Sequence, residues 1–117
     1  MRDDKENLIV KLTFEFALDI IEFSELLESR KKFVIARQIL KSGTSIGANV
    51  REAQNAESKA DFIHKMKIAA KEASESLYWL SVCEKSDIAG FQHELMSEVT
   101  QIIAIISKII ISAKKNI

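Results

Sequence analysis

This sequence predicts an all-α chain of four helices packed side by side. The 117 residues contain no proline and only three glycines. No segment sustains the period-two alternation of a half-buried strand. Apolar residues instead recur three and four apart through most of the chain, the spacing of helices that pack along their length. The length fits one domain, residues 1–117. A content of 47% hydrophobic and 29% charged residues supplies a core and a hydrated surface, and lacks the low hydrophobicity and high net charge of a disordered chain.

The first helix is predicted over residues 6–29, where Ile9, Phe16, Ile20, Phe23 and Leu27 share one seam and Thr13 fills its remaining place. "ESRKK" supplies the first turn, without a glycine stop. The second helix is predicted over residues 33–56. Two neighbouring stripes compete for its buried face, Ala36, Leu40, Gly43, Gly47 and Val50 on one and Ile35, Ile39, Ser42, Ile46 and Val50 on the other. Each glycine costs about 1 kcal/mol of helix propensity relative to alanine. Two of them four apart on a buried stripe therefore predict a partner backbone pressed close. "GTSIG" is not a phosphate-binding loop, because it lacks the GxxxxGK[ST] spacing and no strand precedes it.

Ser58 followed by Asp61 forms a capping pattern that starts a third helix, predicted over residues 59–85. Its core stripe is Phe62, Met66, Ala69, Ala73, Leu77 and Leu80. "KSDIAG" closes it, and the fourth helix is predicted over residues 91–115. At about 100° per residue, the apolar side chains of that last helix span an arc of about 180°, against a little over 100° for one seam. The excess predicts a second buried surface supplied by another copy of the chain, with Ile103, Ile105 and Ile110 in it. Trp79, about 110° from the core stripe of its own helix by the same geometry, joins that expected interface.

Lysine plus arginine equals aspartate plus glutamate at 17 each, so total charge selects no partner. The distribution does: residues 30–72 hold ten basic and four acidic residues, whereas residues 1–29 hold three basic and eight acidic. The acidic start "MRDDKENLIV" is not a signal peptide, and "IIAIISKIIISA" is interrupted by Lys108 and shorter than the roughly 20 apolar residues of a membrane span. One cysteine, Cys83, permits neither an internal disulfide nor a cysteine-based zinc site. A cytoplasmic protein with no membrane contact is the expectation.

Residues 38–52, "QILKSGTSIGANVRE", resemble the Q-x-x-x-A-x-x-S-I-x-x-N-I-x-E-G signature of the bacterial four helix bundle proteins, also known as 23S ribosomal RNA intervening-sequence proteins. Gln38, Ser45, Ile46, Asn49, Val50 (for Ile) and Glu52 match it. Phe62, the Ile68–Ala69 pair, Ser74 and the span from Glu75 to Leu80 are similar to the family's third helix. Ser42 departs from the usual Ala, and Ala53 from the usual Gly. The resemblance implies an antiparallel up-down four-helix bundle assembling into a ring-like homo-oligomer, often a pentamer, with no established activity. A related group, the accessory variability proteins of diversity-generating retroelements, implies nucleic acid, RNA or DNA, and a reverse transcriptase as partners.

Ser45, Asn49 and Glu52 share a helix face and predict a hydrogen-bonded polar cluster that fixes helix register. Arg37, Lys41 and Arg51 fall on one face of the second helix with Thr44 and Ala48; His64, Lys67, Lys71 and Tyr78 fall on one face of the third. Two basic faces with an interleaved aromatic predict nucleic-acid contact through Arg37, Lys41, Arg51, Lys67 and Lys71, against the ordinary reading of lysine-rich helix faces as solvated surface. A protein-interaction scaffold without nucleic acid is the alternative. A di-iron bundle needs carboxylates and paired Glu-x-x-His units. Here there is one related unit, Asp61-x-x-His64, whose histidine points away from the core stripe. Neither an enzyme nor a metal or cofactor site is expected, and Cys83 reads as a core or boundary residue.

Overall fold

The computed structural model describes residues 4–116, with side chains described from Leu8 onward; residues 1–3 and 117 lie outside the described residues. Four helices follow in order: α1 (Asp4–Ser29), α2 (Phe33–Gln54), α3 (Lys59–Lys85) and α4 (Glu94–Lys115). Among the described residues α1 packs beside α2 and α4, and α3 beside α2 and α4. Cross-links fix the antiparallel sense: Lys65 pairs with Glu52 and Ser76 with Ser42, so residue numbers fall on α2 as they rise on α3. The result is an up-down four-helix bundle about 47 Å long.

The α1 seam is buried in full: Ile9, Thr13, Phe16, Ile20, Phe23 and Leu27 all face the core. Each large side chain of this kind contributes roughly 1.5–3 kcal/mol by leaving water. Thr13 is satisfied within its own helix, donating to the Ile9 carbonyl at 2.8 Å. On α2 the buried stripe is Ala36, Ile39, Ser42, Gly43, Ile46, Val50 and Ala53. Leu40 is a correction: it lies at the surface, because the true stripe is centred between the two expected ones.

The glycines do what their spacing predicts, and the partner is α1. A Cβ at Gly43 would stand 2.8 Å from Ile20 Cγ2, and one at Gly47 would stand 3.2 Å from the Thr13 carbonyl oxygen. Ser42 and Ser76, both fully buried, share a 3.0 Å bond across α2 and α3, and each hydroxyl can also reach a carbonyl of its own helix, Ile39 or Glu72. A serine in the place where the family usually has alanine thus finds its partner in a second serine.

The helix ends explain the remaining boundaries. Lys32 N–H donates to the Leu27 carbonyl and Lys31 N–H to that of Glu28, a Schellman closure in which Lys31 takes the left-handed position at φ 62° that glycine usually fills. Ser58 caps α3 as expected, its Oγ accepting from Asp61 N–H at 3.0 Å. α4 begins at Glu94 rather than residue 91. Gly90 turns the chain at φ 88°, and Phe91 packs edge-on against Phe23 at 5.6 Å instead of opening the helix.

α4 carries the three isoleucines expected at an interface between copies of the chain. Ile103, Ile105 and Ile110 are half-buried against the chain's own core. A bundle helix has two neighbours, so the wide apolar arc serves both α1 and α3. The helix is nonetheless long and apolar enough, by length and composition, to cross a membrane, contrary to the estimate from "IIAIISKIIISA". Trp79 is half-buried on the flank of α3 that carries Lys65 and Glu72, the flank turned toward α2. Large exposed apolar side chains include Leu8, Phe14, Leu18 and Ile21 on α1, Phe33, Val34 and Leu40 on α2, Tyr78 on α3 and Ile111 on α4.

Candidate nucleic-acid interface

The basic residues singled out from the sequence are all at the surface: Arg37, Lys41 and Arg51 on α2, Lys67 and Lys71 on α3. They do not form one surface. Arg51 lines a shallow cavity of about 190 Å³ in the outer α1–α2 groove with Val10, Thr13, Phe14, Ala17, Thr44, Gly47 and Ala48. The α2 stripe therefore borders α1 at Arg51, Thr44 and Ala48. Although α1 is acidic overall, the residues it presents to this groove carry no carboxylate. Thr44 closes back on its own helix, donating to the Leu40 carbonyl at 2.7 Å.

The α3 stripe faces outward. His64, Lys67, Lys71 and Tyr78 are exposed, and by helical periodicity Ser74 and Lys85 continue the same face. No carboxylate falls within that stripe; Glu75 borders it on the α2 side. Tyr78 is 60% exposed, and its ring meets Trp79 edge-to-face at 5.0 Å, which orients the phenol without covering it.

Between the two basic stripes lies the polar band that the sequence expectation treated as a cluster. Its three members are not joined through their side chains. Ser45 Oγ donates to the Lys41 carbonyl at 2.6 Å, and Asn49 Nδ2 donates to the Ser45 carbonyl at 2.9 Å. Glu52 reaches across to α3 and accepts from Lys65 Nζ at 3.1 Å. Only Glu52 therefore ties helix to helix, and it does so at the surface, where such a pair contributes at most about 1 kcal/mol. Short side chains four apart on a helix satisfy themselves on the preceding turn, which spacing alone does not distinguish from a network. Lys65 is the participant the sequence reading missed; its place opposite Glu52 depends on the α2–α3 register.

Chemistry of other kinds finds little to work with. Cys83 is buried and burial pushes its thiol up to about 11, so it stays a neutral core residue. His64 is exposed, and His93 Nδ1 lies 3.0 Å from Glu84 at the bundle end. Among the described residues no three His, Cys, Asp or Glu side chains converge in a metal-holding arrangement.

A family model described as 23S rRNA-intervening sequence protein matches residues 5–112 of the chain. Among solved structures, the chain is similar to a crystal structure from Bacteroides thetaiotaomicron, described as a protein with unknown function from the S23 ribosomal protein family. The two are 43% identical, with a TM-score of 0.85, over 91% of this chain and 97% of the other. No curated protein matches.

Proposed function

The chain belongs to the 23S rRNA-intervening sequence protein family, a family of unknown function, and from that membership we propose a non-enzymatic, self-associating binding protein that contacts RNA or DNA through its basic helix faces. The observation that carries this reading is the outward stripe of α3, where Lys67, Lys71 and Lys85 flank an uncovered Tyr78 with no carboxylate in the stripe. Lysines neutralise phosphates, and an open aromatic face stacks bases. Arg37, Lys41 and Arg51 supply a second set of exposed cations on α2, of which Arg51 borders α1.

Beside the expected interface at Trp79, Ile103, Ile105 and Ile110, a second apolar surface supports self-association. Phe14, Leu18 and Ile21 lie on one outer face of α1, and the antiparallel register sets Leu40 of α2 level with Ile21. Neighbouring exposed apolar side chains of this kind support an interaction site. A ring of copies would repeat the α3 stripe and multiply a weak patch through effective concentration. That same apolar face favours the second reading, a protein scaffold without nucleic acid.

Retention on a mixed nucleic-acid column at about 50 mM salt, lost steeply as salt rises, is the expected behaviour, because neutralised phosphates release counterions. A Lys67→Glu/Lys71→Glu variant is expected to flow through while keeping its wild-type size in light scattering. Flow-through of the wild-type protein at that salt leaves the scaffold reading in place and removes the nucleic-acid one.

A further inference from the structure

α1 and α4 meet along the loosest of the four seams. A cavity of about 200 Å³ opens there, lined by Leu12, Glu15, Asp19, Glu98, Gln101 and Ile102. Asp19 on α1 and Glu98 on α4 both line it, so their carboxyls face each other across the seam. Two ionised carboxylates only accept, and they repel; a bond between them requires one proton.

The surroundings favour keeping that proton. From α1 the facing charged groups are Glu15 and Asp19, and on α4 itself the neighbour is Glu94. All three carry negative charge. Lys11 lies at the surface of α1 and does not line the cavity. α3 packs on the other side of α4, where its nearest acid, Glu84, is engaged with His93. Burial first, then the hydrogen bond to Asp19 and the charges of Asp19, Glu15 and Glu94, push the Glu98 carboxyl up to about 7.

We propose that the α1–α4 seam is a proton-locked joint: one proton shared by Asp19 and Glu98 holds the two helices together, and its loss loosens this seam while the α1–α2 seam stays shut. Ile102, buried beneath the pair, and half-buried Leu12 are the apolar groups such loosening exposes. The sign follows from linkage. The folded chain holds the Glu98 proton more tightly than the unfolded chain does, so stability falls as pH rises from about 4.5 to about 7 and levels off above. A second, uncompensated carboxylate in the cavity is the cause.

The test is hydrogen exchange and urea unfolding of the full chain at about pH 5.5 and about pH 8.5, with rates corrected for the intrinsic pH dependence of exchange. Between these values the unfolding constant is expected to rise on the order of tenfold, an amount discounted for the partial solvation of the pair. Protection is expected to fall first along the facing sides of α1 and α4, ahead of α2 and α3. Glu98→Gln keeps a donor to Asp19 that does not titrate, and is expected to flatten the pH profile; Asp19→Asn is expected to do the same. A carboxyl carbon resonance of Glu98 that titrates near 4.5 in the wild-type chain overturns the proposal, whether or not the variants fold. So does a Glu98→Gln protein that retains the wild-type slope, or a loss of protection that is uniform over all four helices.

Discussion

The two sides of α1 are closed by opposite means. Toward α2, two residues without side chains let Ile20 and the Thr13 backbone come into direct contact with the facing helix. Toward α4, two acidic side chains meet over a cavity. The first seam is set by shape, does not titrate, and costs about 2 kcal/mol of helix propensity for its two glycines. The second is set by charge state. One helix thus carries a fixed face and an adjustable one, and the difference comes from Gly43 and Gly47 against Asp19 and Glu98.

Substitutions can break or sharpen that contrast. The largest effect is expected from Gly43→Leu, which drives a branched side chain into Ile20 where even a Cβ stands at 2.8 Å. It should lower unfolding free energy by about 3 kcal/mol or more in urea titration. A loss under 1 kcal/mol would mean that the α1–α2 seam is as yielding as the other. Gly47→Ala is smaller. The obstructing atom is a backbone carbonyl at 3.2 Å, which cannot rotate away, so crowding should outweigh the gain in propensity and leave a net loss of about 1 kcal/mol in the same titration. Smallest, and of opposite sign, is Glu15→Lys at the α1–α4 seam. A cation facing Glu98 should stabilise the chain by about 0.5 kcal/mol at pH near 8, an increment that fades as salt rises. An equal gain at pH near 5 would show that the carboxyl pair plays no part in it.

Much of the bundle was legible because it follows from period alone. The seam of α1 and the Ser58 cap depend on residues a few places apart. What was misread depends on how helices lie against one another. Leu40 and Ile39 are equally apolar, and only the packing angle of α2 decides which one faces inward. Ile103, Ile105 and Ile110 are half-buried within one chain, because a helix between two neighbours uses a wider arc than one seam. The five basic residues were identifiable as surface cations, yet the placing of Arg51 in a groove beside α1 and of Lys67 and Lys71 on an outward stripe of α3 follows from helix order around the bundle. The Asp19–Glu98 contact has no local signature; it exists only in the α1–α4 register.

Trp79 is the only tryptophan in the chain, and its indole N–H is buried without a hydrogen-bond partner among the described residues. Its fluorescence therefore reports from a single place, the α2-facing flank of α3, without a label. An indole lacking an acceptor emits toward the blue, and any rearrangement that admits water to that flank should shift its colour to the red. The molecule contains its own optical gauge for whether occupation of the nearby lysine stripe is felt inside the bundle.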